Sequence, residues 1–595
     1  MAKAKTITLI ALGLLFCLGA LVFGHLTSLE NPTPMLSQPA LLSDPFLQSP
    51  TESSVKVVWF TEFEGSYHQL IYGDDRRQAA AKNSVLSRSR EDEKSKTPLT
   101  YSTVTPRPIW RHEAEAIDLL PGQRYRYQVV SQMQDGTQVS SDWFSLGAKP
   151  AAGESLNILL TSDHQLMPMT AANLQKVEET IGQVDGVFLA GDLVNVPDRA
   201  SEWFDDARGG AFFPCLQGKA SYSLTKNGRT TVYQGGQLIQ HAPLFTAVGN
   251  HEVMGRYSTM TGLDSQFNDP VPWDAAKQLY DWQADLFNPS SDAAIRQQWL
   301  ADRSFNIDTY TEIFSLPSSP RGSESTQRYY ATTFGDIRLI SLYVTQIWRS
   351  PSLKADVRGR YRERTADLAN PVAWGHGQFI FESIEPGSPQ YEWLKSELAS
   401  DKFQQAKYKI VMLHHPPHTL GGNIVPAFTT PVPNYERDEA GRLTAVRYEY
   451  PRTQDHLMQH LVPLLDEAGV QLVFYGHSHL WNRFVGASGM HFLESSNVGN
   501  SYGAHTAGNP RPVPDSHYQE TYAATGDPNG LEPVMPTLAP LTDDGRLVPY
   551  IASNDVTAFS IFNTGSGKVS SYYFDSRQPD SAVVRFDEFT LDAPS

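Results

Sequence analysis

The chain has 595 residues, 40% of them hydrophobic and 19% charged, which is too much for one ordinary core and excludes a compositionally disordered protein. Its net charge of −17 repels polyanions, so nucleic acid is excluded as an expected partner, and any site for an anionic substrate must bring its own positive charge, most simply as metal ions. Only two cysteines occur, Cys17 and Cys215. A thiolate metal site is therefore excluded, any metal must be held by nitrogen and oxygen, and Cys215 reads as a small buried side chain.

Lys3 and Lys5 precede an apolar run from Thr6 to Gly24, the layout of a secretory leader. The run is close to the ~20 residues that span a bilayer. Residues 1–24 are thus expected to be a signal peptide or a membrane anchor, with cleavage favoured and the product exported (secreted, periplasmic or at the cell surface). A membrane contact is expected only through that segment. Residues 25–50, rich in Pro, Ser and Leu, read as a linker. Over residues 51–150, alternating stretches at Val55 to Thr61, Tyr67 to Gly73, Ala114 to Leu119, Tyr125 to Gln132 and Trp143 to Leu146 are separated by turn signals such as Leu120-Pro121-Gly122. They predict a small all-β sandwich of immunoglobulin or fibronectin III type, with a packing or positioning role. The mixed-charge stretch Arg88 to Lys96 reads as a solvated loop.

After Pro150 the pattern becomes α/β. Leu156 to Leu160, Val187 to Ala190, Leu244 to Val248, Ile410 to Leu413 and Leu472 to Tyr475 are apolar strands. Leu174, Val177 and Ile181 predict a helix after the first. Leu457, Leu461, Leu464 and Leu465 predict another, stopped by Gly469. Residues 253–330 and 350–455 are long polar, Pro-rich and aromatic insertions. Residues 501–595 are read as a loop and strands that complete the fold, with a hairpin formed by Ala558 to Phe562 and Val569 to Phe574.

Each apolar strand ends in a polar cluster: Asp163-His164-Gln165, Gly191-Asp192, Gly249-Asn250-His251-Glu252, His414-His415, and Gly476-His477-Ser478-His479. Open α/β sheets place their sites beyond the carboxyl ends of strands, so clusters far apart in sequence can meet in space. Carboxylate, amide oxygen and imidazole suit cations of borderline hardness. Any one cluster is ordinary turn chemistry. The ordered set, each member behind its own strand, is a strong signal.

That set resembles the calcineurin-like metallophosphoesterase superfamily, whose signature runs Asp, Gly-Asp, Gly-Asn-His-Glu/Asp, His, Gly-His-x-His. With a small sandwich in front, and with Leu120 to Tyr127 and Ala558 to Asn563, the chain is most similar to purple acid phosphatases. The resemblance implies an α/β four-layer sandwich over residues 154–500, two mixed sheets flanked by helices, behind the β-sandwich. It implies two metal ions (Fe, Mn or Zn). Asp163 and His479 would bind the first, Asp192 both, and Asn250, His414 and His477 the second. His414 is chosen over His415 because it fits the family's His-x-Pro pattern. His251 would donate a proton to the leaving group, with Asn195 supporting it.

The sequence departs from the family twice. The superfamily's Asp-x-His is here Asp163-His164-Gln165, so the expected third ligand of the first metal is Gln165, a weaker one. The tyrosine that gives purple acid phosphatases their colour is replaced by Asn195, so the protein is expected not to be purple. The implied activity is hydrolysis of phosphate monoesters by a hydroxide that bridges the metals. Phosphodiester hydrolysis on the same site is an alternative, and so is an extracellular binding protein with a degenerate first metal site. His418 and Arg256, near the motifs, read as solvated loop residues or as contacts for substrate phosphate.

Overall fold

The computed structural model describes residues 40–591, except 322–323, 425–426, 507, 512–525, 527–530, 535–540 and 544. The leader expected at 1–24, and the linker as far as residue 39, lie outside the described residues. Among the described residues no helix is long and apolar enough to cross a membrane.

Two antiparallel sheets come first. One pairs Phe46–Gln48, Val55–Thr61, Trp110–Ala116 and Lys82–Val85 in that order, and the other is built around Tyr67–Tyr72 and Arg124–Gln132. Alternation turns Val57 and Trp59 of the first sheet, and Leu70, Tyr72, Tyr127 and Val129 of the second, into a shared core. The other face of Val55–Thr61 is buried too. Val58 and Phe60 join the main core, with Phe60 against Phe204 and Phe213. That second burial explains why the strand reads as nearly continuously apolar. Phe46–Gln48, within the stretch expected to be a linker, is an edge strand of this sheet.

The stretch Arg88 to Lys96 is not a solvated loop. Arg88, Arg90, Glu91 and Asp92 are all buried. Their charges are matched by residues beyond the sandwich: Arg90 by Asp198, Asp92 by Arg199, Arg88 by Asp302 and Asp308. Mixed charge signalled exposure in the sequence, whereas here it marks a polar interface between domains.

The larger domain holds two mixed sheets. The first runs Leu244–Thr246, Gly186–Leu189, Asn157–Thr161, Val556–Asn563, Lys568–Asp575 and Val584–Thr590. Its first three strands are parallel and the C-terminal hairpin adds antiparallel to Asn157–Thr161. The second sheet has Ile337–Ser341, Tyr408–Met412, Leu472–Tyr475 and His491–Ser495 parallel at its centre. Leu159, Phe188 and Phe245 of one sheet meet Leu339, Ile410, Phe474 and Leu493 of the other in one core. Helix Thr170–Ile181 covers the outside of the first sheet through Leu174 and Val177. Leu394, Leu398, Leu457, Leu461 and Leu465 cover the second. The result is the four-layer arrangement, helices outside two facing sheets.

The predicted helix at 457–465 has an irregular start. Leu457–Leu461 is a π-turn, followed by α-helix from Val462 to Glu467. Pro463 has no N–H to give to the preceding turn, and the wider turn accommodates it. Gly469, at φ 73°, ends the helix. The insertion at 253–330 is more regular than its composition indicated. It carries helices Leu263–Phe267, Trp273–Phe287, Ala293–Arg303 and Asp308–Ile313.

Candidate metal centre

The five clusters converge beyond the carboxyl ends of their strands, drawn from both sheets. Asp163 Oδ1 lies 3.3 Å from His479 Nε2. Asp192 Oδ2 lies 3.2 Å from His414 Nε2, which is also 3.2 Å from Asn250 Oδ1. The potential ligand atoms of Asp163, Asp192 and His479 fall within 4.8 Å of one another, and so do those of His414, His415 and His477. Asn250 is 7% exposed, and the carboxylates and imidazoles of both groups are buried at least as deeply.

The backbone is bent to achieve this. Asp163, Gln165, Asp192, His477 and His479 all have positive φ, between 41° and 72°. Non-glycine residues in that region cost of order 1–3 kcal/mol each and cluster where surrounding structure enforces them. Close approach explains the glycines of the motifs. A Cβ on Gly191 would sit 2.7 Å from the Gly249 nitrogen and 2.9 Å from His414 Nδ1. One on Gly476 would run into the side chains of Ser162 and Asp163.

Charge and burial compete at each group. Burial lowers the proton affinity of His415 and His477, and His414 adds to this. At His414 burial acts the same way but the Asp192 carboxylate overrides it and raises the imidazole to about 10. Burial opposes ionisation of Asp192, yet His414 and His251 hold it well below the ordinary carboxylate range. Burial and the Asp192 charge together push Glu252 up to about 8.

Two buried imidazole nitrogens in this cluster, His477 Nδ1 and His415 Nε2, have no hydrogen-bond partner among the described residues. An orphaned polar atom is costly to bury, and two on stacked rings, close to carboxylates, fit a cation set. The donor types, carboxylate and imidazole with amide oxygen nearby, fit divalent or trivalent ions.

Gln165 sits in the first group, with Nε2 donating to Asp192 Oδ2 at 3.0 Å and Oε1 accepting from Asn500 Nδ2 at 3.1 Å. His164, beside it, is buried and meets Thr161 at 3.0 Å. His415, next to His414, is buried as well. Its Nδ1 is 2.9 Å from Thr345 Oγ1 and its ring stacks on His477 at 3.8 Å. His251, half-buried, donates its backbone N–H to Asp192 Oδ1 (2.8 Å), and its Nδ1 is 2.8 Å from the Asn195 carbonyl. Asn195 therefore meets His251 through its backbone, while its side chain donates to the Gln165 carbonyl at 2.7 Å.

Some residues stand elsewhere than the sequence led one to expect. His418 is buried and faces Glu494 at 3.3 Å, so it is neither solvated nor placed for substrate. Arg256 is paired with Asp269. Glu494, missed entirely, accepts the Ser478 N–H at 2.9 Å and also binds the Ser478 hydroxyl, Ser496 and Asn482. It thereby fixes the turn between His477 and His479. Its one signal in the sequence is an acid following the apolar Phe492-Leu493. Glu252 accepts the N–H groups of Asp192, Leu193 and Gly249 at 2.7–2.9 Å, tying two clusters together.

The model of the calcineurin-like phosphoesterase family matches residues 156–480, and that of the purple acid phosphatase N-terminal domain matches residues 45–147. Among solved structures, that of purple acid phosphatase PPD1 from yellow lupin (Lupinus luteus) seeds is similar over 92% of this chain and 74% of that one, with 14% identity and a TM-score of 0.49. No curated protein matches the chain.

Proposed function

This chain belongs to the calcineurin-like phosphoesterase family, and we propose that it is a metal-dependent phosphomonoesterase that acts outside the cytoplasm. The observation that carries this reading is the meeting of a carboxylate-rich group and an imidazole-rich group around Asp192, with His251 hydrogen-bonded beside them.

In this reading Asp163 and His479 hold the first metal, with Gln165 as a weak additional ligand. Asp192 is shared. Asn250, His414 and His477 hold the second. The ions are drawn from Fe, Mn and Zn. A metal pair held there supplies positive charge for the phosphoryl oxygens and makes water acidic enough to serve as a nucleophile near neutral pH. The rest falls to the protein. The Asn195 carbonyl accepts from His251 Nδ1, which leaves Nε2 to carry the proton given to the departing oxygen. Glu252 and Glu494 hold the backbone from which the ligands project. Export rests on the leader-like residues 1–24.

The reading is tested by phosphate release from alkyl and aryl monoesters. His251→Ala should lose ~10²–10⁴ in kcat on alkyl esters, where the leaving oxygen needs a proton, and much less on nitrophenyl phosphate. Equal rates for the variant and the wild type on every ester would remove His251 from the mechanism.

A further inference from the structure

We infer that the N-terminal sandwich positions the proton donor of the site, through a buried chain of polar contacts that runs from Asp92 to His251. This rests on the proposed role of His251 above. The sandwich extends an arm over residues 88–107, whose strands Arg90–Glu91 and Thr105–Pro106 pair with each other. Asp92, on that arm, is 2% exposed. Its Oδ1 accepts from Arg199 Nη2 at 3.1 Å. Arg199 Nη1 donates to Glu202 Oε1 at 2.8 Å. Glu202 Oε2 in turn accepts the backbone N–H groups of Asn195 (2.7 Å) and Val196 (2.9 Å). The Asn195 carbonyl then meets His251 Nδ1 at 2.8 Å.

A second branch reaches the face of the same imidazole. Asp92 Oδ2 accepts the N–H of Leu263 at 2.7 Å. Leu263 opens the short helix that ends in Phe267, and the Phe267 ring packs on His251 with centroids 4.9 Å apart. A Cβ on Gly262 would sit 3.2 Å from Asp92 Oδ2, so the approach is close. One carboxylate of the sandwich thus anchors both the acceptor that selects the His251 tautomer and the ring that sets its tilt.

Simple adhesion between domains does not require this chemistry. An apolar contact is already present, with Val104 of the arm against Val196, Met254 and Leu263. Apolar packing there would be at least as stabilising as buried ion pairs, which repay their desolvation only when the geometry is good. What the ionic chain adds is a fixed distance between the arm and Asn195. A proton donor shifted by ~1 Å can lose ~10²-fold in rate.

Asp92 is therefore a positioning residue, and it should act only through His251. The test measures kcat and KM on nitrophenyl phosphate and on an alkyl phosphate for the wild type, Asp92→Asn, His251→Ala and the double variant, with bound metal and thermal midpoint recorded for each. Asp92→Asn should lose ~10-fold in kcat on the alkyl ester, keep its KM and metal content, and lose little on the aryl ester. In the His251→Ala background the same change should have no further effect. Arg199→Lys, which keeps a charge but cannot fork between Asp92 and Glu202, should give the same pattern and serves if Asp92→Asn does not fold. Equal losses on both esters, an undiminished loss in the His251→Ala background, or wild-type behaviour of both variants overturns the inference. If His251→Ala itself fails to discriminate between the esters, the proposed role of His251 falls, and the inference with it.

Discussion

Two pairs of stacked histidines lie in different regions of this molecule, and their rings are arranged almost alike. In the sandwich, His68 and His112 stack at 3.7 Å and 16°. In the site, His415 and His477 stack at 3.8 Å and 23°. All four are buried, and burial lowers the proton affinity of each. The nitrogens differ. His68 is bonded to Ser131 and to the Glu64 carbonyl, and His112 to Asn83 and Thr61. Every nitrogen of that pair has a partner within the protein. In the site pair, His477 Nδ1 and His415 Nε2 have none among the described residues. Ring geometry alone therefore says little about function. What distinguishes these two pairs is that the site pair keeps two ring nitrogens without a protein partner among the described residues.

The largest effect is expected at His477. His477→Ala should lose one equivalent of bound metal and reduce metal affinity by more than the ~10–100-fold that a supporting residue is worth, measured by metal analysis after dialysis. His112→Ala, its counterpart in the sandwich, should keep full metal content and lose only stability. Next in size is Glu494→Gln, which leaves every ligand in place and weakens the hold on the His477-to-His479 turn. It should cost ~10–100-fold in metal affinity by titration, at both groups together. A smaller gain is expected from Gln165→His, which adds an imidazole where the first group has only an amide and should tighten that metal by roughly tenfold. Unchanged retention would mean that Gln165 lies outside the coordination sphere.

The smallest effect is on acid stability. Burial, aided by His68 and Arg111, lowers His112 from 6.5 to about 3. Below pH 6.5 the unfolded chain takes up a proton there that the folded chain refuses until about pH 3. This contribution to stability is thus intact above pH 6.5 and is lost progressively as pH falls towards 3, by roughly 2–4 kcal/mol. His112→Gln should flatten that limb in denaturation measured against pH. An unchanged slope would mean that His112 is not the group refusing the proton.

What the sequence made legible was local. Each polar cluster follows its own apolar strand, so Asp163, Asp192, Asn250, His414 and the His477–His479 pair stand out as candidate ligands without any knowledge of the fold. The strands of the four-layer core were legible for the same reason, from continuous apolar runs. What was hidden depends on partners distant in the chain. Glu494 acts on a turn 16 residues earlier, which nothing in its neighbourhood announces. Asp92 and Arg199 are 107 residues apart and complement one another only after folding. Each alone reads as a surface charge. The helices of 263–313 were obscured by polar faces and by the prolines and asparagines around them.

If the two adjacent groups of buried carboxylates and imidazoles hold a metal pair, bound metal is the direct readout. The purified protein should retain close to two equivalents of Fe, Mn or Zn per chain and, once loaded, release phosphate from monoesters without showing a visible charge-transfer band. Asp192→Asn, which removes the carboxylate shared by both groups, should lose both metals and the activity together. A wild-type protein that binds no metal in either group, or an Asp192→Asn variant that keeps both equivalents and the full rate, would contradict the account.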